Sequence, residues 1–406
     1  MECRYSCYAI LLDPARWLAV ELYNETTFPS FLARAQLIYD DLLQAVVVMK
    51  ATYDTLPTGE VRLCETQLPL HLEDESTDFG TIETEIVPAK AWCDLAVLGH
   101  ARSRSPKRPI KRMQVSLRIG KFTRSVLVTG DRVWERVLGR LRPSEPVPFT
   151  ELPITYARAY GGAARHPQED VEAGYFANPH GRGYVLRRDD VVGKPLPNVE
   201  EIDQPVRTWQ DRPLPAGMAP LERSSVLRGQ RGITVDLEKQ MTRVDAAAFC
   251  SSHPRMCLPS YPHGEAGELG GVSFDGAWRF RLPSFHYEIR IDLGGARYRL
   301  PLTPDTVYLR ADERRIVVVA RGAFVYQFKP ERKRTIRICS QAEPDRVVAP
   351  EPEAAPTTIR KAREANQPEL PIRLPVSNAF PIDLEIFRAG NPMVDFVETL
   401  PLCASG

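Results

Sequence analysis

Asn178-Pro-His-Gly181-Arg-Gly183 has the residue types of a phosphate cradle, because clustered glycines let backbone N–H groups close on an anion. A P-loop, however, needs a lysine and a hydroxyl residue after its second glycine. A dinucleotide turn needs three glycines between a strand and a helix. Neither pattern is met, so the stretch reads as a tight turn in which Asn caps and Gly supplies positive φ. Cys250, His253, Cys257 and His263 are zinc-ligand types. Their spacing lacks the CxxC or HxxxH pairing of structural zinc sites, and Pro254 interrupts it. Gly271-Val-Ser273-Phe-Asp275 approaches a nucleophile elbow but lacks its second glycine. The histidines at 71, 100, 166, 180, 253, 263 and 286 show no triad or metal-face spacing. No catalytic residue, metal site or cofactor is therefore assigned. Because triads assemble in space rather than along the chain, a hydrolase using the Gly130–Glu200 region stays as an alternative, as does a zinc-stabilised binding module.

Ala101–Arg112 holds six basic residues but no aromatic for base stacking, so it reads as a solvated loop, with an acidic protein partner as the second reading. Over the whole chain, 53 basic residues face 52 acidic ones, which leaves no field to gather nucleic acid or an anionic membrane. No segment reaches the roughly 18 apolar residues of a membrane helix. The start, MECRYSCYAILLDPARW, lacks a signal-peptide cleavage site, so the expected location is the cytoplasm. The eight scattered cysteines read as free thiols.

The elements that must hold these residues are mostly strands. Ala45–Tyr53 (AVVVMKATY) is β-branched and then alternating, and a turn at Pro57-Thr-Gly59 leads to a short strand at Val61–Cys64. Asp94–Leu98 ends at Gly99. Gln114–Ile119 and Ser125–Thr129 flank Gly120-Lys121 as a hairpin. Further strands are expected at Trp278–Leu282, His286–Asp292, Ala296–Leu300, Thr306–Leu309, Ile316–Val319, Phe324–Phe328 and Ile336–Ile338, with turns at Gly294-Gly295 and Asp312–Arg314. Helices are expected only at Phe31–Ile38, Arg132–Leu138 and Val235–Phe249, the last capped by Asp236. The fold class is thus mainly β: sandwich-like or barrel-like sheets with long inserted loops and a few short helices. The 36 prolines, nearly twice a usual share of about 5%, agree with many loops and edges.

Between the strand clusters, Gly130–Glu200 forms a long loop system whose glycines, prolines and isolated aromatics suit function better than regular structure. Its candidate partner-binding or loop-defining residues are Trp134, Tyr156, Arg158, Tyr160, Gly161, Gly162, Asn178, Gly181, Gly183, Asn198 and Glu200. The aromatics would pack it, the glycines would permit its turns, and Asn178, Asn198 and Glu200 would fix loop backbones through side-chain hydrogen bonds.

GDRVW, YARAYGG and NPxGxG in this order, with VVVMKATY, DLAVLGHA and DTVYLRADERRIVVVARGAF around them, resemble the bacterial family called domain of unknown function 2169. The resemblance covers about Asn24 to Phe324. It implies a non-enzymatic adaptor or chaperone that binds a type VI secretion effector, often one carrying a PAAR domain. It also implies support for loading that effector on the secretion spike, with the spike-tip protein as a second partner. The expected organisation is an extension at 1–23, the family domain at 24–340, and a Pro-rich linker and tail at 341–406.

Overall fold

A computed structural model describes residues 20–36, 42–166, 171–229, 233–236, 241–244, 246–292, 297–327, 334–341 and 380–383. Its centre is the run read first from the sequence. Leu42–Thr55 pairs antiparallel with Arg315–Gln327, from Leu42 against Gln327 to Asp54 against Arg315. Ser30–Gln36 lies outside the first of these strands. On the other side come Thr303–Arg310, Cys93–Leu98 and the short Cys257–Leu258, with Val61–Leu63 pairing back onto Leu42–Thr55. Thr303–Arg310 runs parallel to Cys93–Leu98, and the rest of this large sheet is antiparallel.

Because side chains alternate along a strand, the sheet has two faces, and both are covered. Ala45, Val47, Met49, Ala51 and Tyr53 share one core with Val115, Leu117, Ile119, Val126 and Val128. Those last five come from an open five-stranded sheet ordered Val199–Glu200, Phe122–Thr129, Arg112–Ile119, Ala266–Gly270, Trp278–Arg281. Ile289, Ile291, Ile336 and Ile338 of a four-stranded sheet enter the same core. Val46, Val48, Val317 and Val319 point the other way and are covered by Leu68, Leu70, Phe79, Ile82 and Ile86 of the segment after the first hairpin. Gln67 fastens that segment by accepting from Thr52 N at 2.7 Å and donating to Thr52 O at 3.0 Å. Burial on both faces explains why the run is continuously apolar before it alternates.

Between the apolar residues of the second face lie buried ion pairs: Lys50–Glu85 at 2.9 Å, Lys90–Asp94 at 2.7 Å and Arg321–Asp305. The last is set by a bulge, where the ladder between Thr303–Arg310 and Arg315–Gln327 slips at Pro304/Thr306 and releases Asp305. Arg321 fills its remaining valence on Glu85 O, with Nη2 at 2.7 Å.

The sheets are open, so the sandwich reading holds and the barrel reading does not. The expected hairpins at Pro57–Gly59 and Gly120-Lys121 are present. Three helix expectations fail. Ser30–Gln36 is a strand because a continuous apolar strand lies beside it to be paired, which outweighs the helix propensity of FLARAQ; Ile38 lies outside the described residues. Trp134–Val137 is one arm of a hairpin with Arg140–Pro143; seven residues could not sustain a lone helix. Val235–Phe249 contains the strands Ile233–Asp236 and Met241–Val244 and a 3-10 turn at Ala246–Phe249, as the β-branched start ITV favours. The Gly294-Gly295 turn lies outside the described residues. So do residues 1–19 and, apart from Gln341 and Phe380–Asp383, the segment 341–406.

Candidate functional site

The loop system leaves the five-stranded sheet after Thr129 and returns to it at Val199–Glu200. Between these points, and with Val206 just beyond, a small separate core forms from Trp134, Tyr160, Val185, Val191, Leu196 and Val206, with Tyr175 and Tyr184 against it. Trp134 and Tyr160 are both buried in this cluster. Burial pushes the Tyr160 phenol up to about 12, so it stays protonated. Tyr156 instead belongs to the main core and stacks on His253, with ring centroids 6.3 Å apart and 14° between planes.

Asn178 ties two turns together. Its Nδ2 donates to Tyr156 O at 2.7 Å and Tyr160 O at 3.1 Å, and its own O accepts from Gly162 N at 2.9 Å and Gly181 N at 3.1 Å. The backbones come so close that side chains are barred: a Cβ on Gly161 would lie 2.1 Å from Asn178 O, and one on Gly181 would lie 2.3 Å from Asn178 Nδ2. The two chain segments then run side by side, Tyr160–Gly161 parallel to Arg182–Gly183. NPHGRG is therefore a backbone clasp, with its N–H and C=O groups turned inward.

Asn198 is the second hub and is wholly buried. Nδ2 donates to Thr129 O at 3.0 Å and to Asp131 Oδ1 at 2.9 Å. Oδ1 accepts from Arg158 Nη1 at 3.2 Å and Arg182 Nη1 at 3.1 Å. Beneath it, Glu200 accepts from Arg132 Nη2 at 2.6 Å and Val206 N at 2.8 Å. The side chains of Asn178, Asn198 and Glu200 thus each bond loop backbone. Sequence reasoning missed Arg132, Asp131 and Arg182, although all three lie inside its own motifs; GDRVW carries the first two.

The accessible end of this network is a pair of guanidinium groups. Arg158 and Arg182 are 28% and 30% exposed and converge on one amide oxygen. One carboxylate, Asp131, stands 3.6 and 3.7 Å from them and is itself 66% exposed. Burial and the Arg158 charge both push Arg182 below the usual arginine range, against Asp131. Two cations thus share one acid, and each partly exposed guanidinium has more N–H donors than these contacts use, in the fork that can match a carboxylate. Hydrogen-bond donors, and no activated nucleophile, are what this arrangement offers.

The other sequence candidates lie elsewhere. Cys250 and Cys257 pack at the end of the large sheet, where Cys257 Sγ is 3.5 Å from Asp94 Oδ1. His253 Nδ1 accepts from Arg255 N at 3.0 Å, and His263 stacks on His286. Among the described residues no group of three or more His, Cys, Asp or Glu side chains is placed to hold a metal ion. Lys111 of the basic loop pairs with Glu145 at 2.8 Å, while Arg104, Lys107 and Arg108 are exposed.

Residues 41–321 match the family described as "Uncharacterized protein conserved in bacteria (DUF2169)". The chain belongs to this family. The match takes in the five-stranded sheet, the whole loop system and most of the seven-stranded sheet. It omits Ser30–Gln36 and the last residues of Arg315–Gln327, and the strands Val20–Asn24 and Arg334–Ser340 of the four-stranded sheet. No curated protein and no solved structure matches the chain. Among the described residues no helix is long and apolar enough to cross a membrane.

Proposed function

We propose that the chain is an adaptor that binds a type VI secretion effector, such as one with a PAAR domain, in the bacterial cytoplasm and supports its loading on the secretion spike, where the spike-tip protein is a second partner. Family membership together with the resemblance read from the motifs motivates this role. The observation on the molecule that favours a binding scaffold is the Arg158–Arg182 pair: donors held rigidly by a buried asparagine, in surplus over their one acid, at the accessible end of a pre-organised loop system. Pre-organisation lowers the ordering cost of association, and paired guanidiniums suit carboxylates on a protein surface.

Co-expression with a candidate type VI effector from a neighbouring gene tests the role. A stable complex is expected, with loss of effector secretion when the adaptor gene is deleted. Failure to co-purify, with normal secretion in the deletion strain, would sink the proposal. Reversing both charges, Arg158→Glu with Arg182→Glu, is expected to weaken the complex about tenfold or more while circular dichroism keeps its β signature.

A further inference from the structure

Trp134–Val137 and Arg140–Pro143 form a hairpin in register from Trp134 against Pro143 to Val137 against Arg140. Two residues, Leu138 and Gly139, turn the chain, with φ of 50 and 76. Turns with two positive φ angles take Asn-Gly or Asp-Gly, because a larger side chain crowds its own backbone there. Leucine is an unfavourable choice, and this one gains nothing from packing, since it is 99% exposed.

Among the described residues one other non-glycine has positive φ, Arg314, and its strain is offset. The Arg314 guanidinium donates to Ser273 Oγ at 3.0 Å and to Asp275 Oδ2 at 3.3 Å. Leu138 has no comparable compensation. It carries backbone strain that neither burial nor a hydrogen bond offsets within the described residues, at the tip of a hairpin where an apolar side chain is open to a partner.

The hairpin is firmly held at its base. Trp134 is buried, its N–H donates to Lys194 O at 3.0 Å, and its O accepts from Gly193 N at 2.8 Å. Ser144 N closes the open end on Val133 O at 2.8 Å. Glu135 is taken by Arg142 at 2.9 Å, whereas Arg136 and Arg140, both exposed, have no carboxylate partner among the described residues.

We infer that this hairpin is a docking prong: Leu138 seats in an apolar socket on a protein partner, and Arg136 and Arg140 meet carboxylates on the rim of that socket. A rigid, pre-shaped prong with one apolar anchor and flanking cations is suited to a socket of that chemistry. The inference rests on the adaptor reading and names one surface that would serve it.

Purified full chain and the same candidate effector are the probes, with affinity measured by calorimetry and self-association by sedimentation velocity. Leu138→Asn relieves the turn. It is expected to keep or raise the melting temperature while weakening binding about tenfold or more, a combination that a structural role cannot give. Arg136→Glu with Arg140→Glu is expected to slow association and to remove most of its salt dependence. If wild type binds and Leu138→Asn binds as well, the prong is wrong and the adaptor reading stands. If wild type does not bind, the adaptor reading falls and the prong with it. A wild-type dimer that Leu138→Asn dissociates would make a second copy the occupant and overturn the inference, as would a lowered melting temperature.

Discussion

Asn198 shows how one side chain can organise a loop system. All four of its amide hydrogen-bonding valences are used, on Thr129, Asp131, Arg158 and Arg182. Asn198→Ala would leave a buried carbonyl without its donor and two guanidiniums without the oxygen that aligns them. A loss of about 2–3 kcal/mol is expected by denaturant titration, and effector affinity should fall with it. Glu83 carries a different burden. Burial alone would raise its carboxyl, but Arg228 and Arg223 outweigh this and hold it down to about 2. The sign follows: a depressed carboxylate binds protons less readily when folded, so its stabilisation is complete above the unfolded value of about 4.3 and is lost as pH falls through about 2. Glu83→Gln leaves Arg228 buried without a countercharge, which costs about 3–5 kcal/mol at neutral pH. The stability gap between wild type and Glu83→Gln, followed by urea unfolding, should therefore be constant from pH 7 to about pH 5 and shrink below it. A gap that widens on acidification would refute the assignment.

At the scale of elements, the bulge at Asp305 is the informative case. The ladder slips there, and the released carboxylate meets Arg321 inside the second face of the large sheet. Asp305→Ala strands a buried cation and is expected to cost about 3–5 kcal/mol, whereas replacing both partners by apolar residues of similar volume should cost much less; a double-mutant cycle separates the two. The sequence showed the strands on either side of this pair, because AVVVMKATY and RIVVVA are β-branched and long enough to need burial on both faces. It could not show the bulge, since the register between distant strands depends on which faces find cover. The missed strand Ser30–Gln36 has the same cause: FLARAQ prefers helix locally but takes its form from the strand beside it. The candidate site was legible in part. NPHGRG and LPNVE announced turns fixed by Asn and Glu side chains, and Asn178, Asn198 and Glu200 do this. Convergence of Arg158 with Arg182 depends on a parallel pairing of short segments that no local pattern encodes.

At the scale of the molecule, the chain holds two kinds of order. The seven-, five- and four-stranded sheets share one core, whereas Trp134, Tyr160, Val185, Val191, Leu196 and Val206 form a separate cluster in and beside the loop system. The loop system is tied to the sheets by polar contacts, among them Asn198 on Thr129 and Arg124 on Glu201, the latter at 2.7 Å through Nη1, and by Ile154, Tyr156, Ala159 and Val199, which lie in the shared core. A loop system with its own core can open without the sheets opening, because cooperativity follows shared burial. Trp134→Ala, the removal of that cluster's largest side chain, should cost the loop system about 3–5 kcal/mol locally. Amide exchange should then accelerate across 130–206, while Leu42–Thr55 and Arg315–Gln327 keep their protection. Equal acceleration in both regions would show that the two cores open together, and a partner surface on the loops could then not be altered independently of the fold. Exchange confined to the loops would mean that binding energy spent there, at the Arg158–Arg182 pair or at Leu138, is drawn from a unit that the sheets support but do not share.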